Sequence, residues 1–87
     1  MPVVYILQSE KNNSYYIGST NNLERRLYEH NSGMVTYTRK LRPMVLKLSK
    51  ECETLLDARK LERKIKKLKR KDLIERMIRE KKINMGL

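Results

Sequence analysis

Residues 15–30 read YYIGSTNNLERRLYEH, and the change of period inside this stretch decides the fold. Its first part is an aromatic and β-branched run that reads as a strand up to Gly18. Its second part is helical: a polar cluster able to cap, then Leu23 and Leu27 four apart on one face, with Arg26 and His30 also four apart. Asn21 is the expected cap, because Glu24 follows at capping-box spacing. Gly33 is the expected stop.

Working outward, residues 3–8 (VVYILQ) make a second strand-like run, and an Asn-rich loop (SEKNN, residues 9–13) joins it to residues 14–19 (SYYIGS). Two such runs with a short polar loop predict a hairpin. Side chains alternate faces along a strand, so Tyr5 can meet either Tyr15 or Tyr16 across it. Taken alone, such a pair is core packing. Gly18 suits a sharp turn or the close approach of another group to the backbone. Residues 34–42 (MVTYTRKLR) are polar and basic, and Pro43 disfavours helix at Arg42, so a loop is expected before a third strand at residues 44–49 (MVLKLS). There Met44, Leu46 and Leu48 alternate, as in a half-buried strand. Beyond Thr54, a second cap, Leu55, Ala58, Leu61, Ile65 and Leu68 trace an apolar helical stripe. A further helix, residues 72–80 (DLIERMIRE), is expected after a break near Asp72.

The chain has 87 residues, enough for one domain, and neither repeats nor low-complexity linkers. Lys and Arg number 21 against 10 acids, a net charge of +11, which points to a polyanionic partner, most often nucleic acid. Most of the excess lies between Arg59 and Lys82, on helical faces away from the apolar stripe; it reads either as a solvated face or as a phosphate-facing surface. The single cysteine, Cys52, excludes an internal disulfide framework and a cysteine-rich zinc site, and reads as structural. The apolar run near the start is too short for a membrane segment and has no basic leader, so a soluble, cytoplasmic protein with no membrane partner is expected.

In combination these stretches resemble a known family. VVY at residues 3–5, YIG at 16–18, STNNLERRLYEHNSG at 19–33 and ARKLERKIKKLKR at 58–70 are similar, in order and separation, to the GIY-YIG nuclease domain. The resemblance is to its small stand-alone bacterial type, related to the UPF0213 group. It covers most of the chain, from Val3 to about Ile74, with Val3 standing where the first motif has glycine. The resemblance implies an α+β fold, a small three-stranded antiparallel sheet flanked by helices. It implies catalytic roles for Tyr5, Tyr16, Arg26 and His30, and a divalent metal, Mg2+ or Mn2+, on Glu62. Arg25, Arg39, Lys40, Arg59, Arg63, Lys66 and Lys67 are the basic side chains expected to contact nucleic acid, most simply DNA, through its phosphates. Two departures stand out. Ser19 occupies the place where many members carry a lysine, and the asparagine often found after the glutamate has no counterpart at the expected spacing, where Ile74 stands; Asn84 lies too far along.

Physical chemistry gives these residue types roles of their own. An arginine fork stabilises a phosphate oxyanion, and an imidazole exchanges protons near neutrality. A tyrosine base is harder to justify with a reference pKa of ~10, although cationic surroundings favour the phenolate. The base thus stands between Tyr5 acting directly and His30 assisting it. One carboxylate with several waters suits magnesium. Two functions are therefore in view: a metal-dependent DNA endonuclease, structure-selective or of low specificity, acting in repair or recombination; or a non-catalytic nucleic-acid-binding module on the same fold. A protein partner is compatible with either.

Overall fold

A computed structural model of the protein describes residues 1–83. Strand β1 (Val3–Ser9) lies between β2 (Tyr15–Thr20) and β3 (Met44–Glu51), giving a three-stranded antiparallel sheet of order β2-β1-β3. Helix α1 (Leu23–Asn31) follows β2; helices α2 (Leu55–Leu68) and α3 (Lys71–Glu80) follow β3. The architecture is the α+β one expected.

Because β1 is central, both of its faces are covered, and Val3 to Leu7 are all buried. Alternation then splits the core in two. Val4 and Ile6 join Ile17, Ala58, Leu61 and Ile65 on the α2 and α3 side. Tyr5 and Leu7 join Met44 on the other, with Tyr16, Leu23 and Leu27 packed against them. Among the described residues, one edge of β2 has no strand neighbour. The hairpin turns through Asn13, whose φ of 63° is left-handed, and Ser9 organises the loop: its buried hydroxyl donates to the Leu41 carbonyl at 2.6 Å and accepts from the amides of Lys11 and Asn12.

Several boundaries differ from expectation for local reasons. The cap of α1 is Asn22, not Asn21: its side chain accepts from the Arg25 amide at 3.1 Å, so Glu24 is one residue short of the capping-box position. Thr54 caps α2 as expected, through the Asp57 amide. The break between α2 and α3 falls at Lys69, which closes α2 in the left-handed region at φ 48°, ahead of Asp72. The expected loop contains a short 3-10 turn, Arg39–Leu41. Finally, β3 does not keep one alternating face. Its register against β1 shifts between Ile6 and Leu7, so that Leu46 pairs with Leu7 but Leu48 with Ile6. Lys47 is the extra residue of this bulge, and it sends Met44 to one core cluster and Leu48 to the other. Leu46 is left 37% exposed.

Left-handed backbone is unfavourable for a residue with a Cβ by roughly 1–2 kcal/mol, partly offset by glycine's extra unfolded-state freedom. Lys69→Gly is therefore expected to stabilise the fold by roughly 0.5–1 kcal/mol in chemical denaturation. A stability equal to or below that of the parent would show that the α2–α3 corner is not strained at this residue.

Candidate active site

The first site residue is set by the strand register. Tyr5 faces Gly18 across the hairpin, and Tyr16 faces Leu7, so Tyr5 and Tyr16 are diagonal neighbours on one face. Their rings lie 6.4 Å apart and nearly parallel, at 24°. Tyr15 points to the other face and packs against the α2 and α3 core. Gly18 has a specific reason to be glycine: a Cβ there would run into the hydroxyl and ring carbons of Tyr5. The close approach read from the sequence is that of the Tyr5 ring.

Helix α1 supplies the next two residues. Arg26 and His30, one turn apart, both face the Tyr5 hydroxyl: His30 Nε2 lies 2.9 Å from it, and the Arg26 guanidinium stands near enough to bias it electrostatically. The two differ in exposure. His30 is fully buried, with its ring edge-on to both Tyr5 (5.8 Å) and Tyr16 (4.9 Å), whereas the Arg26 side chain is 35% exposed and pairs with Glu29 Oε1 at 3.0 Å. An imidazole able to exchange protons near neutrality is thus not what α1 presents. Burial and then the Arg26 charge lower the His30 pKa to about 4, against a smaller upward pull from Glu29, so the ring is neutral. Burial likewise dominates at Tyr5, whose pKa is pushed up to about 12 despite Arg26. The cationic surroundings do not by themselves produce a phenolate.

Hydrogen-bond accounting assigns the tautomer. The Arg26 charge favours the Tyr5 oxygen facing it and the Tyr5 hydrogen turned away, toward His30 Nε2, its hydrogen-bond partner among the described residues. Nε2 is then unprotonated, and Nδ1–H donates to the hydroxyl of Thr38 at 2.8 Å. Thr38, fully buried, passes its own hydrogen to the Val35 carbonyl. Sequence reasoning missed Thr38, since a threonine in a polar loop carries no signal of burial.

Glu62 arrives from the opposite side. Ser19 shares the face of Ile17, and its hydroxyl donates to Glu62 Oε1 at 2.5 Å, while Lys66, one turn on, sits 2.6 Å from Oε2. The Ser19 departure from the family pattern is therefore the residue that ties α2 to β2. The glutamate charge reaches Tyr5, adding to its raised pKa, so the site straddles β2. As a metal ligand Glu62 fits one class of ion. No group of three or more His, Cys, Asp or Glu occurs together among the described residues, which does not suit an ion wanting several protein ligands. A single carboxylate, 19% exposed and retaining a free lone pair on each oxygen, suits magnesium or manganese completed by water.

The remaining expected residues scatter. Arg25 is exposed beside Arg26, 4.0 Å from Glu29. Arg39 and Lys40 line a separate cleft with Lys11 and Arg42, and Arg39 holds its own loop by donating to the Gly33 carbonyl. Arg59, Arg63 and Lys67 stand exposed on α2, and of the α2 cations only Lys66 touches the site. Ile74 is buried in the core, so no polar group replaces the expected asparagine there, and Asn84 lies outside the described residues.

Comparison with known proteins gives a family match over most of the chain. The GIY-YIG catalytic domain matches residues 1–77. Among similar proteins are UPF0213 proteins of Enterococcus faecalis (48% identity, covering 67% of this chain and 69% of the relative), Listeria welshimeri (42% identity; 83% and 84%) and Bacillus licheniformis (42% identity; 88% and 78%). No solved structure matches.

Placing a methyl at Gly18 tests the packing of the site. Gly18→Ala must displace the Tyr5 ring and is expected to destabilise the protein by about 1–3 kcal/mol, a fall of several degrees in melting temperature. A variant melting with the parent would show that the ring does not lie where described.

Proposed function

This chain belongs to the GIY-YIG catalytic-domain family, and from that premise we propose that it is a metal-dependent endonuclease hydrolysing phosphodiester bonds of DNA. The observation that carries the reading is the Tyr5 hydroxyl, set against His30 Nε2 and the Arg26 guanidinium on the central strand, with Glu62 across β2. A cation and a neutral imidazole set against one hydroxyl, with a carboxylate nearby, is an arrangement for moving a proton beside an anion, and core packing alone needs none of it.

The residues divide the work as follows. Arg26 takes a non-bridging phosphate oxygen, which competes with its present partner Glu29 and supplies charge stabilisation as the pentacoordinate phosphorane forms. An anion on Arg26 also offsets the positive charge that helps to lower the His30 pKa, so substrate binding makes the imidazole a better acceptor. As water attacks phosphorus, its proton passes to the Tyr5 oxygen while the Tyr5 proton passes to His30 Nε2; the phosphorane then breaks its bond to the leaving oxygen, which takes a proton from solvent. Tyr5 is then the direct base and His30 its acceptor, which joins the two roles the sequence left as alternatives. Thr38 holds the imidazole in the tautomer that leaves Nε2 open. Tyr16, edge-on to His30, keeps the ring from turning. Glu62 would hold a magnesium or manganese ion, which when bound neutralises developing charge on the phosphate and leaving oxygen. A cytoplasmic place and a role in repair or recombination belong to the same proposal; among the described residues no helix is long and apolar enough to cross a membrane.

The test is incubation of the pure protein with supercoiled, branched and single-stranded DNA, and with RNA, in magnesium or manganese. Cleavage is expected to stop in EDTA and to fall at least about 100-fold in Arg26→Ala and Glu62→Gln. Cleavage undiminished in both variants would remove the assignment. Salt-sensitive binding with intact substrate under every metal would favour the non-catalytic module instead.

A further inference from the structure

Along the free edge of β2 runs a cleft of about 760 Å³ that borders the site above. One wall is aromatic: Tyr15 from the α2 and α3 face, and Tyr16 and Tyr37 from the α1 face. Tyr37 comes from the loop after α1, leans on Tyr16 at 5.6 Å and 42°, and is 71% exposed. The other wall is cationic and comes from the corner between α2 and α3: Lys66, Lys69, Arg70 and Lys71. Lys71 lies 5.8 Å over the Tyr15 ring, and Arg70 is engaged by Asp72. Lys69 and Lys71 have no carboxylate within ion-pair distance among the described residues.

Aromatic faces opposite unpaired cations match one polymer chemistry, a backbone of phosphates carrying flat bases. The match extends to strandedness. A base inside a duplex keeps its faces stacked on its neighbours, so an exposed tyrosine can stack only on a base that is unpaired. The cleft is also continuous with the proposed catalytic groups. Lys66 in its wall is the residue on Glu62, and Tyr16 in its wall is the ring against His30.

We propose that the β2-edge cleft binds unpaired nucleotides flanking the scissile phosphate, with Tyr37 as the stacking platform and Lys69 and Lys71 as phosphate contacts. The claim rests on the nuclease reading only for the position of the scissile bond. A substrate with an unpaired stretch next to the cut, such as a flap, a bubble or a single strand, is the class such a cleft selects. Arg70 is less available than Lys69 and Lys71, since a phosphate must compete with Asp72 for it.

The experiment is equilibrium binding in EDTA of a fluorescein-labelled oligothymidylate and of a blunt duplex of the same length. Base stacking of about 1–3 kcal/mol converts to a 5- to 150-fold weaker oligothymidylate affinity for Tyr37→Ala, with the duplex affinity changed less than about twofold. Tyr37→Phe, which keeps the ring, is expected to bind like the parent. The Lys69→Ala, Lys71→Ala double variant should lower the log–log salt slope for the single strand by about 1.4. Tyr37 is exposed, so its loss should leave the melting temperature unchanged, which separates binding from folding. Unchanged oligothymidylate affinity in Tyr37→Ala, an equal loss on the duplex, or failure of the parent to bind the single strand would each overturn the proposal. Since nothing is cleaved in EDTA, these outcomes are read independently of the nuclease test.

Discussion

The hydrogen bond between the Tyr5 hydroxyl and His30 Nε2 is the constraint on which the rest of the structure depends. It joins the central strand to α1, and it forms only because Gly18 lets the Tyr5 ring cross the edge strand. It is also demanding. A fully buried imidazole must have both nitrogens satisfied, which draws Thr38 and its loop into the core; no buried side-chain polar atom among the described residues lacks a partner. The neutral ring couples the fold to pH. Between the ordinary histidine value and about 4, the unfolded chain binds a proton that the folded chain does not. Stability from this group is therefore present above about pH 6.5 and is lost as pH falls through that window, by roughly 3 kcal/mol at most.

Around that bond, the sheet divides the labour between its faces. The α2 and α3 side carries most of the aliphatic core and, through Ser19, brings Glu62 up to β2. The α1 side carries a smaller core in which Tyr5 is both packing and chemistry. Since the two halves of the site come from opposite faces, they can meet only at the sheet's edge, and among the described residues β2 has no strand beyond it. The edge is consequently where a long anionic substrate can lie. A net charge of +11 supplies attraction over the whole surface, while the local geometry of Tyr16, Tyr37 and the α2–α3 corner supplies direction.

Much of this was legible in the residues because it depends on short-range periodicity. Alternation set Tyr5 against one of Tyr15 and Tyr16, the motif resemblance chose Tyr16, as the register has it, and a stripe at spacings of three and four marked α2 with its Thr54 cap. What escaped depends on tertiary contact. The bulge at Lys47 is invisible in Met44, Leu46 and Leu48, which alternate well on paper yet divide between two cores once β3 must pair with a twisted neighbour. Asn21 and Asn22 have equal capping chemistry, and only the chain path out of β2 selects the second. His30 could be placed on the face of Arg26 but not in the core, because four-residue spacing gives a shared face and not its depth. Its burial, with the fall in pKa that follows, needed Tyr5, Tyr16 and Thr38 closed around it.

The chain has a single histidine, so the most direct measurement is a nitrogen-resolved NMR titration of its ring. The Tyr5–His30–Thr38 account predicts a neutral imidazole with the proton on Nδ1 and an acceptor Nε2, retained on acidification until about pH 4. An imidazole that titrates near the ordinary value of about 6.5, or that carries its neutral-state proton on Nε2, would contradict it.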